Sequence, residues 1–547
     1  MSMNQRQSAT DPHVAVLAFP FTCHPWSLFN LACKLASAAP QVRFSFFNTS
    51  KSNRRLFSTS QLAELPDNLK ACDVANGVPE GHVFTPAHAD LDEMELFLKA
   101  APESFGKAMD IAVAETGRNI TFLLTDALLV FSCQMAEKMH VKWVTFWVPA
   151  PYFLSAVIYT DLILKAYGNV CGINGGGVVG LGGIKPIEKT LDFIPGLSAM
   201  RFCELPDDLL QSDDPNSSLV FNNMLRMCEV LPQASAIVMN SFQELNSTLL
   251  TNDLKSKFQD LLYLGIPTLT LPPTPPPPPS PSHSDATGCL PWLEQKKPSS
   301  VAYISFGTLA SLPPNEFVAL AEALEMSGVP FLWSLRDDLK QLLPDGFVQR
   351  TSASMQGKIV PWTPQSQVLA HSAVGVYVTH CGYNSVFESI VGEVLMICRP
   401  IWVDNGMTGR MVEEVWGIGV IVEGGVFTKN GMLKSLELVM GEHEGVRRMR
   451  EKVRGLKEIV VKAAGPYGMA SKAVISCEIE LSRVLISCGR HVRLKTALQC
   501  VDKSENSLEF RSRQRKAECL SLQFLQCVWL EPSSDESSLL SVFLHHT

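Results

Sequence analysis

Positive charge in excess is the first thing missing from this chain of 547 residues. Lys and Arg number 46 against 54 Asp and Glu, a formal net charge of −8, and no basic stripe stands out. Nucleic acid is not an expected partner, because phosphate backbones are held by clustered positive charge. Cysteine is also thin, with 15 over the whole length, no CxxC pair and no zinc-ligand spacing. That excludes a disulfide framework and points to a reducing, cytoplasmic compartment. No stretch approaches the ~20 apolar residues that a membrane-spanning helix needs. Val14 to Phe21 is apolar but lacks a basic flank and a small-residue cleavage site, so it reads as a strand rather than a signal peptide. Apolar residues make up 46% of the chain. At roughly 100–200 residues per domain, the length allows two to four domains, each with its own core.

Strand-like and helix-like segments alternate along the first half. Val14–Phe19 is a short apolar run ending at Pro20, and Leu28, Phe29, Ala32, Leu35 and Ala36 then recur with helical spacing. Val42–Phe47, Phe122–Thr125, Trp143–Phe146 and Ile237–Asn240 read as further strands, with a helix over Ala127–Met139. Thr270 to Ser282 is dominated by proline, which lacks backbone donors and favours extended geometry, so it reads as a linker. The alternation resumes beyond it with strands at Val301–Phe306, Phe331–Leu335, Lys358–Val360, Val374–Thr379 and Val394–Cys398. The expected class is α/β, with two doubly wound parallel sheets whose ligands sit at the carboxyl ends of the strands.

The most informative stretch runs from Trp362 to Asn405 and reads WTPQSQVLAHSAVGVYVTHCGYNSVFESIVGEVLMICRPIWVDN. A buried strand ends at His380, Cys381-Gly382-Tyr383-Asn384-Ser385 follow, and Val386, Phe387, Ile390 and Val391 then carry helical spacing. A strand feeding a glycine turn and a helix start leaves backbone N–H groups free, which together with the helix dipole make an anion site. His380 and the Ser385 hydroxyl add donors, so a diphosphate suits the place. Trp362 offers a flat face for a base, Glu388 lies where it can accept from ribose hydroxyls, and Asp404 can hold sugar hydroxyls.

With these residues in view, the stretch resembles the 44-residue signature box of plant secondary-product glycosyltransferases, spanning 44 positions here. HVAVLAFPF (13–21), APESF (101–105), AVAETGR (112–118), VAYISFGT (301–308) and GRMVEEVWGIGV (409–420) carry the likeness toward flavonoid and anthocyanidin 3-O-glucosyltransferases of plant family 1. The resemblance implies a GT-B fold of two Rossmann-like domains facing a cleft. It implies an acceptor-binding domain over 1–265, a proline-rich linker over 266–287 and a UDP-sugar-binding domain over 288–465. A helix at 466–487 would cross back to the first domain, leaving an atypical tail over 488–547 expected to hold little packed structure. Trp362 would stack on uracil, and Gln365 and Glu388 would hold ribose. His380, Asn384, Ser385 and Thr308 would hold the diphosphate, with Ser334 close by, and Thr363, Gly382 and Tyr383 would belong to the same donor site. Asp404 and Asn405 would hold the sugar, and Leu128 and Trp402 would wall the acceptor. A monomer using a UDP-sugar co-substrate and a small aromatic acceptor is the expectation, with no metal and no other cofactor.

The resemblance also pairs His24, in the loop after the first strand, with Asp126 at the end of the Phe122–Thr125 strand. A histidine can accept a proton at neutral pH, and a carboxylate would orient the ring and stabilise the imidazolium. The implied reaction is one in-line displacement. His24 takes the acceptor proton, the oxygen attacks the anomeric carbon, UDP leaves, and configuration inverts. Asp126 also suits a helix N-cap.

Some positions depart from the family pattern. Tyr383 replaces the usual tryptophan, and Asn405 replaces the glutamine of glucosyl transferases or the histidine of some galactosyl transferases. Val148 replaces a threonine, and Glu393 and Leu395 replace a small residue and a proline. Two alternatives to glucosyl transfer therefore stay open: use of another UDP-sugar, and ligand binding without efficient transfer. Gly175–Gly180 fits GxGxxG without a strand before it, Asp90-Leu91-Asp92 reads as a polar helix start, and His443-Glu444 lacks the second histidine of a zinc motif.

Overall fold

The computed structural model describes residues 12–58, 65–84, 89–171, 189–206, 219–269, 287–307, 312–465 and 467–473, together with Leu209 and Asp285. The proline-rich run, the Gly175–Gly180 motif, Thr308 and the expected tail lie outside the described residues.

Seven strands form the first sheet. They are β1 (His13–Leu17), β2 (Arg43–Thr49), β3 (Leu69–Val74), β4 (Phe122–Asp126), β5 (Lys142–Trp147), β6 (Ala236–Met239) and β7 (Leu261–Tyr263). Every pairing is parallel and the order is β3-β2-β1-β4-β5-β6-β7. Six more form the second: β8 (Val301–Ser305), β9 (Phe331–Ser334), β10 (Gly357–Val360), β11 (Val374–Thr379), β12 (Leu395–Cys398) and β13 (Gly419–Ile421). Their order, β10-β9-β8-β11-β12-β13, is again all parallel. A parallel sheet covered by helices must bury both faces, so its central strands are apolar throughout. β1, β4 and β11 accordingly have every residue buried.

Six helices position or support the site. They are α1 (His24–Ala38), α2 (Ser132–Met139), α3 (Gln365–Leu369), α4 (Tyr383–Gly392), α5 (Asn405–Arg410) and α6 (Glu444–Ala464). Pro25 stands in the first turn of α1, where its missing N–H costs no hydrogen bond. The expected helix over Ala127–Met139 begins only at Ser132. Residues 127–131 turn instead, because the Asp126 carboxylate accepts the Leu128 N–H at 3.0 Å and holds the chain there. Asp126 thus caps a turn rather than the helix. β3, β7 and β13 were not expected from the sequence. β3 is a sheet edge with only its end residues Leu69 and Val74 buried and Lys, Ala, Cys and Asp between them, and β7 and β13 are three residues long.

One face of the first sheet packs Val14, Val16, Phe44 and Phe46 against Leu28, Phe29 and Ala32 of α1. Its other face belongs to a larger apolar cluster that continues into the second sheet. Ala473, from the described start of the expected 466–487 helix, packs against the first of these clusters. Among the described residues nine cysteines are free thiols, and no helix is long and apolar enough to cross a membrane.

Candidate active site

Strand order reverses direction between β1 and β4, and between β8 and β11, and such switch points open a crevice at the carboxyl ends of the strands. In the first sheet the crevice holds His24 and Asp126. His24 opens α1 seven residues after β1, and Asp126 is the last residue of β4. The His24 Nδ1 lies 2.7 Å from Asp126 Oδ2, with the carboxylate almost wholly buried and the ring partly so. A carboxylate on Nδ1 favours the proton on that nitrogen and leaves the Nε2 lone pair available. The Phe19 ring meets the imidazole edge-on at 5.4 Å and limits its rotation.

In the second sheet the crevice holds His380, which follows β11, and Gly307, which follows β8. A Cβ on Gly382 would come 2.4 Å from His380 Nε2, and one on Gly307 would come 3.2 Å from the same ring. Only residues without a side chain let the backbone close on both sides of the imidazole. Burial pushes the His380 pKa down to about 4, against a smaller upward effect from the Ser305 carbonyl. The ring is therefore neutral near pH 7, and Nδ1 is buried without a hydrogen-bond partner. It can offer a phosphate a hydrogen bond but not a full positive charge. Beside it, residues 382–385 open α4 with no side-chain cap, which leaves their N–H groups free for an anion.

A hydrogen-bonded cluster lies next to this turn. Gln365, the first residue of α3, donates to Glu388 Oε2 at 2.6 Å and to Ser385 Oγ at 3.1 Å. Its carbonyl oxygen accepts from the Tyr303 and Tyr377 hydroxyls at 3.0 and 3.3 Å. Ser366 donates to the other Glu388 oxygen at 2.6 Å. Burial raises the Glu388 pKa, and the bonds from Ser366 and Gln365 partly offset that. Thr363 is buried, with its hydroxyl 2.8 Å from that of Tyr303, so its side chain points into the core. Trp362 is 53% exposed and presents an open ring face. Ser334 ends β9 half-buried.

The two sheets' crevices face each other, and side chains cross between them. Asp404 Oδ2 accepts the Ala150 N–H at 3.2 Å, and burial raises the Asp404 pKa. Asn405 follows it, buried, as the first residue of α5. Asn384 donates to Ser27 Oγ at 3.0 Å and accepts from Asn240 Nδ2 at 2.7 Å. The Tyr383 and Ser241 hydroxyls are 2.8 Å apart. Arg410 forms a buried ion pair with Glu204. Leu128 and Trp402 are half-buried.

Seven non-glycine residues among the described residues have positive φ, and three of them flank residues of the site. Thr22 at 55° precedes His24, Cys381 at 69° follows His380, and Val403 at 52° precedes Asp404. A β-branched residue in that region is an outlier that the surrounding structure must enforce. Strain thus collects beside three of the residues singled out from the sequence.

Sequence reasoning missed Tyr303, Tyr377, Ser366, Ser27, Asn240 and Ser241. The tyrosines carried a signal. They lie in buried strands whose register sets Tyr303 beside Tyr377, and a buried phenol needs a partner. Ser27, Asn240 and Ser241 had none, because their partners lie in the other half of the chain.

Two parallel Rossmann-like sheets with facing crevices are the architecture of the GT-B fold. Comparison with known proteins agrees. The model of a family described as "UDP-glucoronosyl and UDP-glucosyl transferase" matches residues 292–450. The chain is 45% identical over 471 residues to an anthocyanidin 3-O-glucosyltransferase of Vitis vinifera, covering 86% of this chain and 97% of that one. It is 45% identical over 469 residues to an anthocyanidin 3-O-galactosyltransferase of Actinidia chinensis var. chinensis, covering 85% and 96%. A crystal structure of a UDP-glucose:anthocyanidin 3-O-glucosyltransferase in complex with UDP superposes with a TM-score of 0.77 at 40% identity, over 86% of this chain and 99% of that one. The chain belongs to the plant family 1 UDP-glycosyltransferases and is a UDP-sugar-dependent hexosyltransferase.

Proposed function

We propose that the chain transfers glucose from UDP-glucose to the 3-hydroxyl of a flavonoid or anthocyanidin, with inversion at the anomeric carbon. The observation that carries this reading is the His24–Asp126 pair, 2.7 Å apart and facing a strand–turn–helix anion site. The acceptor class follows the names of the relatives.

In this reading His24 Nε2 removes the acceptor proton, and Asp126 stabilises the imidazolium. Such a base is worth roughly 10²–10⁴-fold in rate. The acceptor oxygen attacks the anomeric carbon as the bond to the diphosphate oxygen breaks. Charge growing on that diphosphate is met by the first N–H groups of α4, by the neutral His380 ring, and by Asn384, Ser385 and Thr308. Trp362 stacks on uracil, and Gln365 and Glu388, already held in place by their neighbours, bind ribose. Asp404 and Asn405 bind the sugar, with Ser334 near the phosphates and Leu128 and Trp402 lining the acceptor space.

Asn405 favours a second reading in which another UDP-sugar is the donor. Its amide reaches one methylene less far than the glutamine of glucosyl transferases, and the relatives include galactosyl transferases at equal identity. A site built on one hydrogen bond discriminates strongly when that bond changes. The test is to incubate the purified chain with a flavonol and an anthocyanidin and with each UDP-sugar separately, and to read added hexose by mass and its position by NMR. Product with UDP-glucose at the 3-hydroxyl is expected. Product only with another donor selects the second reading, and no product with any donor refutes both.

A further inference from the structure

The opening turn of α4 does more than face a ligand. Both sides of its Asn384 amide are engaged by the opposite domain: Nδ2 donates to Ser27 and Oδ1 accepts from Asn240. The next hydroxyl along, Tyr383, meets Ser241. Asn240 spends its other N–H on the Val148 carbonyl at 2.9 Å, and its own carbonyl oxygen is buried without a partner. A buried carbonyl left unpaired lowers stability. An apolar side chain would avoid that penalty, so the amide at 240 is explained by the bridge it makes rather than by packing. Tyr383 stands where the family pattern has tryptophan, whose indole N–H cannot both donate and accept as a phenol does.

Ser27 lies on α1 three residues after His24, close to one helical turn away. A continuous path therefore runs from the helix that carries the base, through Ser27 and Asn384, into the helix whose start faces the diphosphate. Transfer depends on the separation between a base fixed to one domain and a donor fixed to the other, and a misplacement of about 1 Å can cost about 10²-fold in rate.

We propose that Ser27, Asn240 and Ser241 form, with Tyr383 and Asn384, a latch across the cleft that sets His24 at working distance from the bound donor. This rests on the glycosyl-transfer reading above. Ser27, Asn240 and Ser241 are positioning residues, acting through α4 on the donor and through α1 on the base. Asn384 keeps its second amide hydrogen and its backbone N–H for the phosphates, so latching and binding coexist.

The test uses the full chain with Ser27→Ala, Asn240→Ala and the double variant. The latch predicts a fall in kcat of about 10-fold or more for each single change. The KM for the UDP-sugar and the Kd for UDP should stay within about threefold, because the second domain alone holds most of the nucleotide. Since both residues act through Asn384, the double variant should lose little more than the worse single one. A kcat within twofold of wild type, or a loss matched by an equal loss in UDP affinity, would overturn the latch. Amide exchange over residues 24–31, measured with saturating UDP, gives a readout that needs no turnover. It should speed up several-fold in both single variants, and unchanged exchange also overturns the proposal. If the wild type transfers no sugar, the exchange comparison still decides the latch, so the two failures are told apart.

Discussion

Gly382 and the ring of His380 leave no room between them, since a methyl group on the glycine would sit 2.4 Å from Nε2. The neighbour is a half-buried ring just after a central strand, with Gly307 packed against the same ring, so little space is left for it to move into. Gly382→Ala should therefore push the imidazole out of the anion site. UDP affinity should fall by at least about tenfold, equivalent to about 1.4 kcal/mol, and calorimetry checks it. Unchanged UDP affinity would show that the packing is slack.

Acid stability should carry the mark of the same histidine. Its folded pKa is about 4, below the ordinary ~6.5 that applies when the chain is unfolded. Between those values the unfolded chain takes up a proton that the folded one refuses, so stability is lost as pH falls from about 6.5 toward 4. At pH 4.5 the loss from this one group is roughly 2–3 kcal/mol. Urea midpoints at pH 7 and 4.5 should therefore diverge less in His380→Gln than in wild type, and equal divergence would contradict the assignment.

The His24–Asp126 bond predicts a separation between chemistry and binding. His24→Ala should lower kcat by roughly 10²–10⁴-fold, with UDP binding largely intact because the anion site stands on the other sheet. Asp126→Asn should also reduce kcat, since a neutral amide does not stabilise an imidazolium. Its Oδ1 would still hold the Leu128 N–H, so the turn should survive, and the circular dichroism spectrum should not change. Turnover unaffected by either change would remove His24 from the mechanism.

Tyr303 tests whether the ribose-side residues are held in advance. Its hydroxyl bonds both Thr363 and Gln365 from a fully buried ring stacked on Tyr377 at 5.0 Å. Tyr303→Phe keeps the ring and removes those bonds. The KM for the UDP-sugar should rise several-fold with kcat little changed, and stability should drop by about 1–2 kcal/mol. A kcat effect without a KM effect would place Tyr303 in the chemical step instead.

The sheets were legible in the sequence because they depend on local pattern. Val374–Thr379 is a continuous apolar run, and it forms the strand expected. The Trp362–Asn405 stretch keeps its spacing through strand, turn and helix, so the pattern alone groups His380, Gln365 and Glu388. What escaped depends on the third dimension. The turn at 127–131 replaced a helix because one carboxylate oxygen caught a backbone N–H. The bond between the Thr363 and Tyr303 hydroxyls had no local signal. The β3 edge strand carries Lys, Cys and Asp at positions where a central strand would be apolar. Ser27 and Asn240 looked like ordinary polar residues until the other domain arrived beside them.

Ser27 and Asn384 are 357 residues apart in sequence. At roughly 5–20 residues per second of synthesis, α1 leaves the ribosome roughly 20–70 s before its partner exists. The first sheet, with its own covering helices, can fold within that interval and must then wait with its cleft face open. Hydroxyls and amides at 27, 240 and 241 can bond to water during the wait, whereas an apolar face of the same extent would invite aggregation. Neutral polar contacts that assemble late can thus be met by water in the first half until the second is translated, whereas apolar contacts such as Phe242 with Phe387 gain their partner only then.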